Sequence, residues 1–139
     1  MFQSILIVAT LLCSLVAGFL FAFAAVVMPG IRKFDDGAFI RAFQAIDRVI
    51  QDNAPLFLVV WVGSVAALLA ATVMGEWSLS GVDRVLLIVA AAVYHLCVQF
   101  PTMAINIPLN NTLQKLDPAA MNEVERRRAR GDFEPRWNR

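Results

Sequence analysis

The chain has 139 residues, 59% of them hydrophobic and 17% charged, with a formal net charge of +1. A water-soluble domain of this length needs more charge to cover its surface, so the composition excludes the ordinary soluble classes and points to an integral membrane protein. The net charge says nothing of nucleic acid, which is not expected as a partner.

Residues 1–30 contain no Asp, Glu, Lys, Arg or His, residues 53–75 contain none, and residues 85–107 contain only His95. About 20 apolar residues cross a hydrocarbon core about 30 Å thick. Three spanning helices are therefore expected, at about 5–28, 55–75 and 83–105. The first is expected to be retained rather than cleaved, because Met1-Phe-Gln-Ser lacks a basic residue and the apolar run is too long for a signal peptide. Ser14, Gly18 and Ala22, and likewise Gly63, Ala67 and Ala71, recur every four residues as seams for close helix packing.

Between the first two spans, Asp35-Asp36 supplies a helix start, and Phe39, Phe43, Ile46 and Ile50 recur at spacings of a helix face. Arg41, Gln44, Arg48 and Gln51 fall away from that stripe, and Asn53-Ala-Pro55 breaks it. An amphipathic helix over about 35–52 follows. It either anchors at the cytoplasmic interface or folds over an opening between the spans as a lid, and as a lid it adds Gln44 and Arg48 to the substrate-binding set. Glu76 to Gly81 makes a short turn with an interfacial Trp77. After the third span, residues 111–139 form a polar tail. Asp117-Pro118 is read as the start of a short helix to Arg130, and Arg126-Arg127-Arg128 as a lipid-headgroup or solvated cluster.

Eleven of the twelve Lys and Arg residues lie in the first connection or the tail, leaving Arg84 alone by the second turn. The positive-inside rule makes the first side cytoplasmic, so a multi-pass plasma-membrane protein with an external N-terminus and a cytoplasmic C-terminus is expected. The whole of 1–139 reads as one domain.

The third span carries the chemistry. His95, Gln99, Thr102 and Asn106 are spaced 4, 3 and 4 residues apart, which on an ideal helix places them within about 60° of arc. Hydrocarbon offers such groups no partner, so they must meet protein, ligand or cavity. Three readings stay open: interhelical glue, using carbonyls freed by Pro101 and Pro108; catalysis, with His95 as a proton acceptor; and a route for a proton or polar solute. One histidine and no intramembrane carboxylate give no metal site. The isolated Cys13 and Cys97 give no disulfide framework, and no nucleotide loop or catalytic Ser-His-Asp pattern occurs. A transporter is disfavoured by the short chain and the lack of an inverted repeat.

Thr102-Met-Ala-Ile-Asn106-Ile-Pro108-Leu-Asn110 resembles the T-x-x-x-N-x-P-L-N signature of the anthrone oxygenase-like family of small membrane proteins. Gly18-Phe-Leu-Phe-Ala-Phe with Met28-Pro29-Gly30, the segment Phe39 to Asp47, and Phe133-Glu-Pro-Arg-Trp137-Asn138-Arg139 are similar to further parts of it. The resemblance implies an all-α membrane helical bundle of four helices. It also implies oxygenation of an anthrone to an anthraquinone by molecular oxygen without a cofactor. This chain stops at Arg139, where the family continues into a last span, so a homo-oligomer or a partner membrane subunit is expected to complete the bundle. The expected partners are thus the lipid bilayer, that subunit, a small hydrophobic molecule and oxygen.

On this reading His95 is the base, and Asn106 and Asn110 donate hydrogen bonds to the oxyanion. Gln99, Thr102 and Phe100 bind substrate, and Phe19, Phe21 and Phe23 help line a planar pocket. The rival reading is a non-enzymatic membrane subunit whose polar third span packs against a partner helix.

Overall fold

In a computed structural model, which describes residues 1–52 and 54–138, the chain is all-helical. Among the described residues there are five continuous helices: α1 Phe2–Ile31, α2 Asp36–Gln51, α3 Pro55–Ser78, α4 Gly81–Gln114 and α5 Glu123–Trp137. Helices α1, α3 and α4 are long and apolar enough to cross a membrane. Of their most apolar windows only 11%, 22% and 11% of residues are buried. Large side chains such as Ile7, Leu11, Leu86 and Leu96 stand exposed along them. Apolar flanks on that scale require an apolar surrounding, which a bilayer supplies.

The ladders of α1 and α4 are interrupted for one chemical reason. Proline has no N–H to donate four residues back, and its ring crowds the carbonyl it would have met. Three π-helical stretches, Phe23–Val27, Tyr94–Gln99 and Thr102–Asn106, each end two residues before a proline: Pro29, Pro101 and Pro108. The Phe100 amide bonds His95 O, and the Met28 amide bonds Phe23 O, each five residues back. The widened turn lets the helix continue, so α4 runs through both prolines to Gln114 rather than ending near 105. Such stretches are frequent at functional sites.

The chain divides into two compact units, the division passing through α1 after Leu20 and through α4 after Pro101. The first unit comprises Met1–Leu20 and Pro55–Pro101. Its core is Ala9, Leu68, Ala71, Leu87 and Ala91, with Phe2, Leu6, Cys13 and Tyr94 packed around them. Small residues let the backbones approach: a Cβ on Gly75 would come within 2.5 Å of Leu87 Cδ2. The Gly63–Ala67–Ala71 seam faces this packing, whereas Ser14, Gly18 and Ala22 are exposed, and nothing would meet a Cβ on Gly18. The turn between α3 and α4 needs Gly81, whose φ of +55° suits glycine.

The second unit comprises Phe21–Ala54 and Thr102–Arg139. Asp35 caps α2 by accepting from the Ala38 amide at 2.8 Å. The apolar stripe of α2 packs onto α5: Phe43 and Phe133 meet edge to face at 4.6 Å, and Trp137 lies 5.8 Å from both Phe43 and Phe23. Phe39, Ile40 and Phe43 are 0–1% exposed, so this stripe is spent on protein rather than on a bilayer surface. Arg130 clamps the unit. Its guanidinium donates to Glu134, Asp36 and the Phe34 and Arg32 carbonyls at 2.8–3.1 Å, and lies 4.4 Å over the Phe39 ring. Burial opposes its charge, but the bonds and charges of Glu134 and then Asp36 outweigh that, and its pKa is raised.

The tail helix differs from expectation. The Asp117 carboxylate accepts from the Ala119 amide two residues on, a local turn rather than a helix start. Helix α5 begins instead after Asn122, whose side chain and that of Glu125 form a reciprocal capping box at 3.0 and 2.8 Å. It then continues to Trp137, well past Arg130. Within the basic cluster, Arg126 bonds the Pro118 carbonyl at 2.8 Å, while Arg127 and Arg128 are exposed. The readings that involve Asn53 and Arg139 lie outside the described residues.

Candidate functional site

His95, Gln99 and Phe100 belong to the first unit; Thr102, Asn106, Asn110, Gln44 and Arg48 belong to the second. Each set is described within its own unit.

In the first unit, Tyr94, His95 and Gln99 sit on the π-helical stretch before Pro101. The Ser64 hydroxyl gives its hydrogen to Trp61 O at 2.6 Å, so at the 2.6 Å contact between Ser64 Oγ and Tyr94 Oη the tyrosine is the donor. The Tyr94 and His95 rings meet edge to face with centroids 5.6 Å apart. Gln99 is 6% exposed and His95 is half-buried. The Nε2 atoms of both are buried, and neither has a hydrogen-bond partner among the described residues. A buried polar atom left unpaired costs about 1–3 kcal/mol, and two of them four residues apart are unusual in a folded chain. An imidazole nitrogen can take a proton, and an amide N–H can donate to an oxyanion. Phe100 is 66% exposed and points away from this interior. Phe19 packs on Phe57 and Trp61 in the same unit, at 5.3 and 6.4 Å.

In the second unit the signature asparagines are part of a polar network. Asn110 Nδ2 donates to Asp47 Oδ1 at 2.8 Å, and Asn110 Oδ1 accepts from the Trp137 indole at 2.9 Å. Asn106 Nδ2 donates to the Trp137 carbonyl at 3.2 Å. Asp47 Oδ2 accepts from Gln51 at 2.7 Å and from Gln114 at 3.0 Å. Gln44, expected on the polar face of α2, is buried at 8% exposure and donates to the Leu113 and Leu116 carbonyls at 2.8 and 3.0 Å, near the end of α4. Its own carbonyl accepts from Gln114 at 2.9 Å. Gln44 and Gln114 thus use both amide hydrogens, while Asn106 and Asn110 each keep one beyond these bonds. Thr102 is half-buried, Arg48 is exposed, and Phe23 is buried against Trp137.

Asp47, Gln114 and Trp137 are absent from the site read off the sequence. Asp47 has a legible signal, since it lies four residues after Phe43 and so falls beside the apolar stripe of α2, where a lone carboxylate calls for partners. Gln114 has none, because its partners lie some 70 residues away. A groove of about 610 Å³ between the end of α4 and α5 is lined by Leu109, Leu113, Phe133, Arg128, Asp132 and Arg136 among others, and none of the candidate residues lines it. Among the described residues, no three His, Cys, Asp or Glu side chains are grouped as metal ligands.

A family sequence model described as anthrone oxygenase matches residues 43–139, which takes in α2 from Phe43 onward, both polar sets and Trp137. No curated protein and no solved structure matches the chain.

Proposed function

The chain belongs to the anthrone oxygenase family, and from that premise we propose that it is a multi-pass plasma-membrane oxygenase. It converts the methylene of an anthrone-type substrate to a carbonyl with molecular oxygen and without a cofactor. The observation that carries this reading is the pair of buried, unpartnered nitrogens at His95 and Gln99.

In balance, one methylene and one molecule of oxygen give one carbonyl and one water. His95 Nε2 accepts a proton from the acidic methylene, and the negative charge moves onto the substrate carbonyl oxygen, which an amide N–H receives. The electron-rich anion passes one electron to oxygen, and the resulting radical pair joins to form the C–O bond of a peroxide. The peroxide then takes the proton held by His95, the freed imidazole removes the remaining hydrogen from that carbon, and the O–O bond breaks with loss of hydroxide, which is protonated to water and leaves the new carbonyl. Apolar surroundings keep bulk water from the anion.

The amide that receives the charge is that of Gln99, which lies in the same unit as His95 and whose Nε2 has no hydrogen-bond partner among the described residues. Asn106 and Asn110, in the second unit, each keep an N–H that a ligand oxygen can take. Purified protein in lipid nanodiscs, given dihydroxyanthrone, is expected to consume oxygen and form anthraquinone above the spontaneous rate. His95→Ala should lower kcat by about 10²- to 10⁴-fold. Removing the donor, by Gln99→Leu, should lower it by about 10²- to 10³-fold. Turnover no faster than the spontaneous rate removes the oxygenase reading. What then stands is a membrane subunit, with the unpartnered nitrogens met by a partner helix, a contact that crosslinking from position 96 or 100 would detect.

A further inference from the structure

Asp47 is 4% exposed, and among the described residues no cation pairs with it. A buried carboxylate without a counter-ion is costly unless its lone pairs are met. Here they are met by the amides of Asn110, Gln51 and Gln114 alone.

The consequence lies in the amide between Asp47 and Trp137. The indole N–H only donates, and the carboxylate only accepts. With Oδ1 2.9 Å from the indole nitrogen and Nδ2 2.8 Å from Asp47 Oδ1, only one orientation of the Asn110 amide satisfies both neighbours. Turning it over sets oxygen against oxygen and N–H against N–H. An asparagine at 47 breaks that agreement: Gln51 and Gln114 both donate to Oδ2 and would hold the asparagine's oxygen there, so its N–H is set against the Asn110 N–H, and Asn110 can turn to meet it only by opposing the indole. Because an amide is planar, fixing one N–H also fixes the direction of the other.

We propose that Asp47 is a positioning residue that locks the Asn110 amide in one orientation, seats the Trp137 indole through it, and so aims the remaining Asn110 N–H for a ligand oxygen. The aiming rests on the proposed aromatic ligand meeting Asn110 through an oxygen; the locking does not.

The test is Asp47→Asn in the full chain, in nanodiscs, with tryptophan labelled at the indole nitrogen. Three tryptophans give three indole N–H resonances, and Trp137→Phe assigns the relevant one. In D47N the Trp137 resonance should shift or split as the 110 amide is driven between two orientations that each leave one neighbour opposed, while those of Trp61 and Trp77 stay in place. Affinity for dihydroxyanthraquinone in equilibrium dialysis should fall about tenfold, and D47N should lower that of Asn110→Ala no further. A Trp137 resonance left single and unmoved overturns the locking. Losses that multiply in full overturn the route through Asn110. Should D47N fail to fold, Asp47→Glu, which keeps both acceptors but displaces them by a methylene, must move the same resonance. If the wild-type protein shows no turnover, the oxygenase assignment fails by itself, and the resonance alone decides the role of Asp47.

Discussion

The two units handle polar groups in opposite ways. In the second, three glutamines are fully committed: Gln44, Gln51 and Gln114 spend both hydrogens on carbonyls and carboxylates, and Arg130 serves two carboxylates and two carbonyls. In the first, a few polar side chains sit among apolar helices, and two of their nitrogens, His95 Nε2 and Gln99 Nε2, lack a hydrogen-bond partner among the described residues, the Gln99 side chain lying near the Tyr94 hydroxyl. The difference teaches where to look for chemistry. A satisfied network holds a fold in place, whereas an unsatisfied buried group costs stability and is retained for what it does to something else.

Substitutions should therefore split by unit. The largest effect is expected from Phe133→Ala, since that ring packs on Phe39, Phe43 and Trp137. It should cost about 3–5 kcal/mol, read as an early loss of α5 in hydrogen exchange. Next comes Arg130→Ala, at about 1.5–3 kcal/mol by denaturant titration. Arg130→Lys should recover little, because an ammonium cannot reach four acceptors in a fork. The Arg130 pKa is raised, so its stabilisation is fully present below the ordinary guanidinium range and is lost only above it. The cost of R130A should accordingly be flat across neutral pH.

Gln99→Leu has the opposite sign. Removing an unpartnered buried amide should stabilise the protein by about 1–2 kcal/mol in a thermal melt, while turnover falls. A destabilised Q99L chain would mean that the amide is already satisfied, and would erase the contrast between the units. The smallest change is Asn122→Ala, which removes the α5 cap and should cost about 1 kcal/mol, seen as fraying of residues 122–126.

The spans are legible in the sequence because a long run without charge is hard to place anywhere but in a bilayer, and the Asp35 cap is legible because its geometry is local. The reach of α4 to Gln114 is not. Pro108 and the polar run from Asn106 look like an ending, yet the π-helical turn absorbs the proline and the polar side chains find partners on α2 and α5. The start of α5 is easily misplaced because Asp117-Pro118 offers a start signal that the chain uses as a turn, although Asn122-x-x-Glu125 carries the correct one. Helical spacing sets Gln44 on the wrong face because only the distant Leu113 and Leu116 carbonyls reveal its role. Of the proposed site, the residue types on the third span are legible; which nitrogens remain unspent is not, since that depends on every neighbour.

His95 is the only histidine in the chain, so nitrogen labelling of histidine reports on one residue. The most direct measurement is the His95 Nε2 resonance in nanodiscs as dihydroxyanthraquinone, the unreactive product, is added. A ligand-dependent shift is expected, saturating with dose and lost in Gln99→Leu. A resonance that stays fixed at saturating ligand, in protein shown by equilibrium dialysis to have bound it, would contradict the account.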